Sequence, residues 1–147
     1  MARNYKNIQV YHLAYQFVLD VYQKSKNFPK EELHNITSQL RRASVSIPLN
    51  IAEGSAKASD REFAYFLNVS YASAKEVEVL LNLCHDLKYL SKQDSELLLF
   101  KLDELNAKLY LFLRNVESRV KSPKRQFFQK FEDKYFCQRE FTLFLGS

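Results

Sequence analysis

Punctuation is what this sequence lacks. Its 147 residues hold two glycines and three prolines, too few for the tight turns of a β-protein, so the composition predicts few, long helices. Long apolar runs are missing as well. The longest aliphatic stretch, Leu97 to Phe100, falls far short of the roughly 20 residues that span a bilayer. The opening MARNYKNIQVYHLAYQ has neither a long apolar core nor a small-residue cleavage site, so no secretory signal is expected. Cysteine is sparse too: Cys84 and Cys137 lie far apart, with no CxxC and no histidine at ligand spacing. That pattern predicts free thiols in a reduced, cytoplasmic chain and no metal. The length fits one domain with a proper core. A net charge of +5 and a pI near 9.1 mildly favour an anionic partner such as nucleic acid.

What is there is organised around Ser38 to Lys57, SQLRRASVSIPLNIAEGSAK. Ile36, Leu40, Ala43, Ile47 and Ile51 recur at helical spacing and make one apolar face. Gln39, Arg42, Ser46, Asn50, Glu53 and Lys57 make a second, polar line. Lys and Glu alone would solvate a surface, so the mixture predicts a partly buried polar network of Arg42, Ser46, Asn50 and Glu53. The plainer reading is one buried face and one wet face. Pro48 removes a backbone donor, which predicts a kink unless Ser44 or Ser46 takes up the slack. Gly54 follows the last apolar turn, where a left-handed C-terminal cap is expected.

Three more amphipathic runs complete the pattern. The first helix is expected over about Ile8 to Lys26, with Val10, Leu13, Ala14, Phe17, Val18, Val21 and Tyr22 on its apolar stripe. Asn27 to Pro29 stop it, and Pro29 with Glu31 and Glu32 suits the start of the second, organising helix. Ser59 and Glu62 form a capping box opening a third helix, Asp60 to about Leu90. At 1.5 Å per residue it is over about 40 Å long. One stripe, Phe63 to Cys84, is joined by a neighbouring one of Phe66, Val69, Ser73, Leu80, Leu83 and Leu87. So wide an apolar arc reads either as a partner surface or as a broad side facing the core. Ser91 caps a fourth helix, Lys92 to Val120. Short connections make the whole an all-α, antiparallel up-down-up-down four-helix bundle over residues 1–121. Residues 122–147 form an aromatic-basic tail in which Phe128, Phe131 and Tyr135 keep helical spacing, read as a short helix packed on the bundle or as a loose arm.

The string SQLRRASVSIPLNIAEG, with FPKEEL before it and EFAYFLNVSYASAKEVE after it, resembles the S23 family. Its members are four-helix bundles encoded in intervening sequences of bacterial 23S ribosomal RNA genes. The resemblance runs from about Val10 to about Val120. The accessory variability determinant of diversity-generating retroelements is similar too. What the resemblance implies is the bundle and a homo-oligomeric ring, with five copies favoured; it implies function only loosely.

Enzyme readings fail on geometry. Cys84, His85 and Asp86 have the right types for a thiol site, but helix neighbours point about 100° apart. Gly54 to Lys57 lacks the first glycine and the preceding strand of a phosphate loop. No catalytic site, metal or cofactor is expected. Binding remains. Arg41, Arg42, Lys57, Arg61, Lys101, Lys108 and Arg119, with the basic tail, are the candidate contacts to a nucleic acid backbone, structured RNA first. Each is also a plausible solvated cation, and Arg42 could equally bridge to Glu53 or Glu76. Val45, Leu49, Phe66, Val69 and Leu80 are the candidate oligomer contacts. The expected role is a non-enzymatic nucleic-acid-binding or accessory scaffold whose ring multiplies weak patches. The alternative is a protein–protein adaptor ring, docking a partner such as a reverse transcriptase without binding nucleic acid itself.

Overall fold

The computed structural model describes residues 3–120; the expectations for the tail lie outside them. Four helices carry the fold: α1 (Gln9–Lys24), α2 (Ile36–Ser55), α3 (Asp60–Asp86) and α4 (Lys92–Glu117). Each packs on the next in sequence and α4 closes back on α1, which is the antiparallel bundle that short connections dictate. The core follows the apolar stripes. Ala14, Phe17 and Val21 of α1 meet Leu40, Ile47 and Ile51 of α2, Leu67, Val77 and Leu81 of α3, and Leu98, Leu102 and Leu109 of α4.

The helix starts α3 and α4 are set by the residues expected. Ser59 Oγ accepts from the Glu62 amide at 3.2 Å and donates to the Glu62 carboxylate at 2.7 Å. Ser91 Oγ accepts from the Asp94 amide at 3.0 Å. Each cap satisfies an amide that the helix leaves unpaired. The start of α2 differs from expectation. Pro29 leads into a single 3-10 turn, Lys30–Glu32, and the α-helix begins only at Ile36, after Asn35 departs from helical geometry. Likewise α1 ends at Lys24 and passes into a 3-10 turn, Ser25–Asn27.

Gly54 does not form a left-handed cap, because no glycine has positive φ among the described residues. It sits inside α2 where α3 crosses. A Cβ there would lie 2.6 Å from Phe66 Cβ and 2.9 Å from the Phe63 ring, so hydrogen is the only side chain the crossing accommodates. The left-handed residue is Lys88, at φ 65°. It closes α3 four residues before the expected end: the Tyr89 amide donates to the Cys84 carbonyl and the Lys88 amide to that of His85, each at 2.9 Å. This is the Schellman arrangement, with lysine in the position glycine usually takes. α2 stays helical through Pro48. Ser44 Oγ donates to the Arg41 carbonyl at 2.8 Å, and Ser46 is engaged across the helix pair.

A feature the sequence reading did not find is the clasp at the N-terminus. The Arg3 amide donates to the Ser55 carbonyl at 3.2 Å. Its guanidinium pairs with Asp60 and lies 4.9 Å above the Phe63 ring. One residue thus ties the chain start to the α2–α3 connection.

Candidate binding surfaces

The seven cations singled out from sequence do not form one patch. Arg41 is structural: its guanidinium donates to Ser25 Oγ at 2.9 Å and to the Ser25 carbonyl at 3.2 Å, and lies 4.9 Å above the Tyr22 ring. Lys101 spans to Asp20 of α1 at 2.6 Å, and Lys108 pairs with Glu104 at 3.0 Å. Lys57 reaches Glu53 at 3.4 Å while its ammonium sits 4.7 Å from the Phe66 ring centroid. Arg119 donates to Asn115 Oδ1. Only Arg42 and Arg61, both exposed, have no such engagement with the described residues. Three of these seven cations, Lys57, Lys101 and Lys108, are thus paired with carboxylates in partly exposed ion pairs, which a phosphate contact would have to exchange.

The polar line on α2 is half as long as expected. Asn50 donates to Ser46 Oγ at 2.9 Å and to the Ser46 carbonyl at 2.8 Å, and the Ser46 and Ser73 hydroxyls meet at 2.9 Å. Ser73 of α3 therefore completes the network. Arg42 and Glu53 lie outside it: Arg42 points to solvent, and Glu53 takes Lys57 one turn later. A carboxylate finds an ammonium four residues on more readily than a guanidinium eleven residues back.

The apolar arc of α3 divides. Leu80 is 7% exposed and belongs to the core, which corrects its placement as an oligomer contact. Phe66 and Val69 are half-buried, Phe66 because Gly54 brings α2 against it. Val79, Leu83 and Leu87, four residues apart, stay exposed at 66%, 44% and 46%. They make one apolar line along the outside of the helix. Leu83 and Leu87 belong to the second stripe expected from sequence; Val79, one turn before Leu83, belongs to neither stripe.

A second apolar surface lies between α1 and α2. Val45 and Leu49, expected at an oligomer contact, line a groove of about 400 Å³ with Tyr11, Tyr15, Leu19 and Pro48. Leu49 is 61% exposed. The aromatic wall went unread in the sequence, although Tyr11, Tyr15 and Leu19 recur every four residues just off the core stripe.

The thiol reading does not gain. Cys84 is buried, and burial pushes its thiol up to about 11, away from the thiolate that a nucleophile needs. Contrary to the helix-neighbour expectation, His85 Nδ1 does reach Asp86 Oδ1, at 3.2 Å, on the exposed side of the helix. Among the described residues no group of three or more His, Cys, Asp or Glu could hold a metal ion, and no helix is long and apolar enough to cross a membrane.

Comparison with known proteins places this architecture. A family model described as 23S rRNA-intervening sequence protein matches residues 6–111. A crystal structure from Bacteroides thetaiotaomicron, of a protein with unknown function from the S23 ribosomal protein family, is similar, with 24% identity and a TM-score of 0.67. The match covers 71% of this chain and 95% of that one, and at such identity the likeness carries the fold alone. No curated protein matches this chain.

Proposed function

The chain belongs to the 23S rRNA-intervening sequence protein family, and from that premise we propose that it acts as a non-enzymatic scaffold that self-associates through the outer side of α3. The observation that carries this reading is the exposed line Val79, Leu83 and Leu87. A two-turn apolar line left on the exterior costs solvation in a free subunit, and a second copy supplies the same line to cover it. A ring of five follows the family resemblance, and its contacts with another protein are apolar. The pairing of Lys57, Lys101 and Lys108 with carboxylates supports that adaptor role over a bundle coated in phosphate contacts.

Nucleic acid is the second reading, favoured by where the charge lies. Of the net +5, residues 121–147 supply +3, from six cations and three carboxylates. With Arg42 and Arg61 they offer a backbone contact that depends on assembly for its strength.

The test is the double variant Val79→Asp, Leu83→Asp. The scaffold reading expects a lower solution mass with unchanged circular dichroism, because neither side chain is in the core. An unchanged mass removes α3 as the interface. Gel shifts with duplex and single-stranded probes separate the two partner classes: binding that falls with salt and with Arg42→Gln, Arg61→Gln supports nucleic acid, and no shift at low salt ends that reading.

A further inference from the structure

The groove between α1 and α2 is too apolar to be left to solvent, and the chain itself carries a segment suited to it. We propose that residues 121–147 of the same chain dock there, with Phe128, Phe131 and Tyr135 seated against Tyr11, Tyr15, Leu19, Val45, Pro48 and Leu49. The inference concerns a different face from the α3 line and does not depend on self-association.

Three observations carry it. The first is position. The helices alternate in direction, so the last turn of α4 lies at the same end of the bundle as the start of α1, where the groove begins at Tyr5. α4 is the direct neighbour of α1. Neighbouring helix axes are about 8–10 Å apart, whereas Lys121 to Gln126 alone can extend roughly 20 Å. The second is dimension. Tyr11 to Leu19 is two turns of α1, about 12 Å, and Phe128 to Tyr135, if wound at their helical spacing, would rise about 10 Å. Those three aromatics share one side at helical spacing, while Lys130 and Asp133 fall on the other. The third is chemistry. Among the described residues the groove lining holds no charged side chain, so it accepts an aromatic face and gives a free cation nothing to pair with. The tether decides between this segment and an unlinked chain. A covalent tether of a few residues holds it at an effective concentration on the order of millimolar, far above a second copy at micromolar concentration.

The test uses the full-length protein with Cys137→Ser, Tyr135→Cys and Leu49→Cys; Cys84 is buried and does not compete. Under a mild oxidant the expected product is an intrachain disulfide, seen as a faster-migrating monomer. It should form at least tenfold faster than when Leu111→Cys replaces Leu49→Cys. Leu111 is 66% exposed and nearer the tail in sequence, so an unseated tail would reach it at least as readily. Equal rates at the two positions, or no disulfide at Leu49→Cys, overturn the proposal. An interchain product at Leu49→Cys also overturns it and hands the groove to another copy. A second measurement needs no new thiol: Leu49→Asp should speed trypsin cleavage after Lys130 and Lys134 at least fivefold relative to wild type. An unchanged rate contradicts the docked tail.

Discussion

Single residues decide more here than their chemistry suggests. Gly54 was legible as special from its scarcity, but its reason was not, because a close helix crossing leaves no trace in one helix's own sequence. Gly54→Ala should therefore destabilise the protein despite the roughly 1 kcal/mol that alanine gains in helix propensity. The new Cβ meets Phe66 Cβ, which cannot move without its backbone, and such overpacking costs about 1–3 kcal/mol. A net gain on chemical denaturation would show that the crossing can open. Asn106 argues the opposite way. It is 6% exposed, and among the described residues neither its amide nitrogen nor its oxygen has a partner. A buried polar group without a partner costs on the order of 1–3 kcal/mol, and replacing it with an apolar group of similar shape removes that cost. Asn106→Leu should raise the denaturation midpoint, and a fall would mean that the amide is satisfied in the protein in solution. Nothing in the sequence flagged Asn106, since one asparagine in a leucine-rich helix reads as surface.

At the level of elements, the sequence held the four helices and two of their caps, because amphipathic period and Ser-x-x-acid signals are local. The helix ends that were misplaced depend on less local causes. α3 was carried to Leu90 since Leu87, Tyr89 and Leu90 continue its apolar pattern, and lysine does not announce a left-handed cap. Lys88→Gly should stabilise the α3–α4 connection by about 1 kcal/mol, the scale of the left-handed penalty for a residue with a Cβ. Thermal unfolding reads the gain, and no change would mean that the turn relaxes around Lys88 without strain. The polar line of α2 was also half legible. Ser46 and Asn50 could be joined by spacing, but Ser73 lies on another helix and enters only when α2 and α3 are packed together. Arg42 and Glu53 were grouped with them by face alone, and a common face does not choose partners.

For the whole molecule, topology was readable because short connections permit little else, whereas surface function was not. Cations were counted in the sequence, but their carboxylate partners, Asp20 on α1 for Lys101 of α4 above all, come from other helices or other turns. The apolar surfaces suffered the same fate: one stripe split into core (Leu80) and exterior (Leu83, Leu87), and the α1–α2 groove needed two helices to exist. The central claim, that the exterior apolar line is covered by further copies, concerns the assembly and is tested on the unmodified protein. Light scattering at micromolar concentration should give a mass that is a multiple of 17.4 kDa, five copies under the ring reading. A single 17.4 kDa species across that range would contradict it.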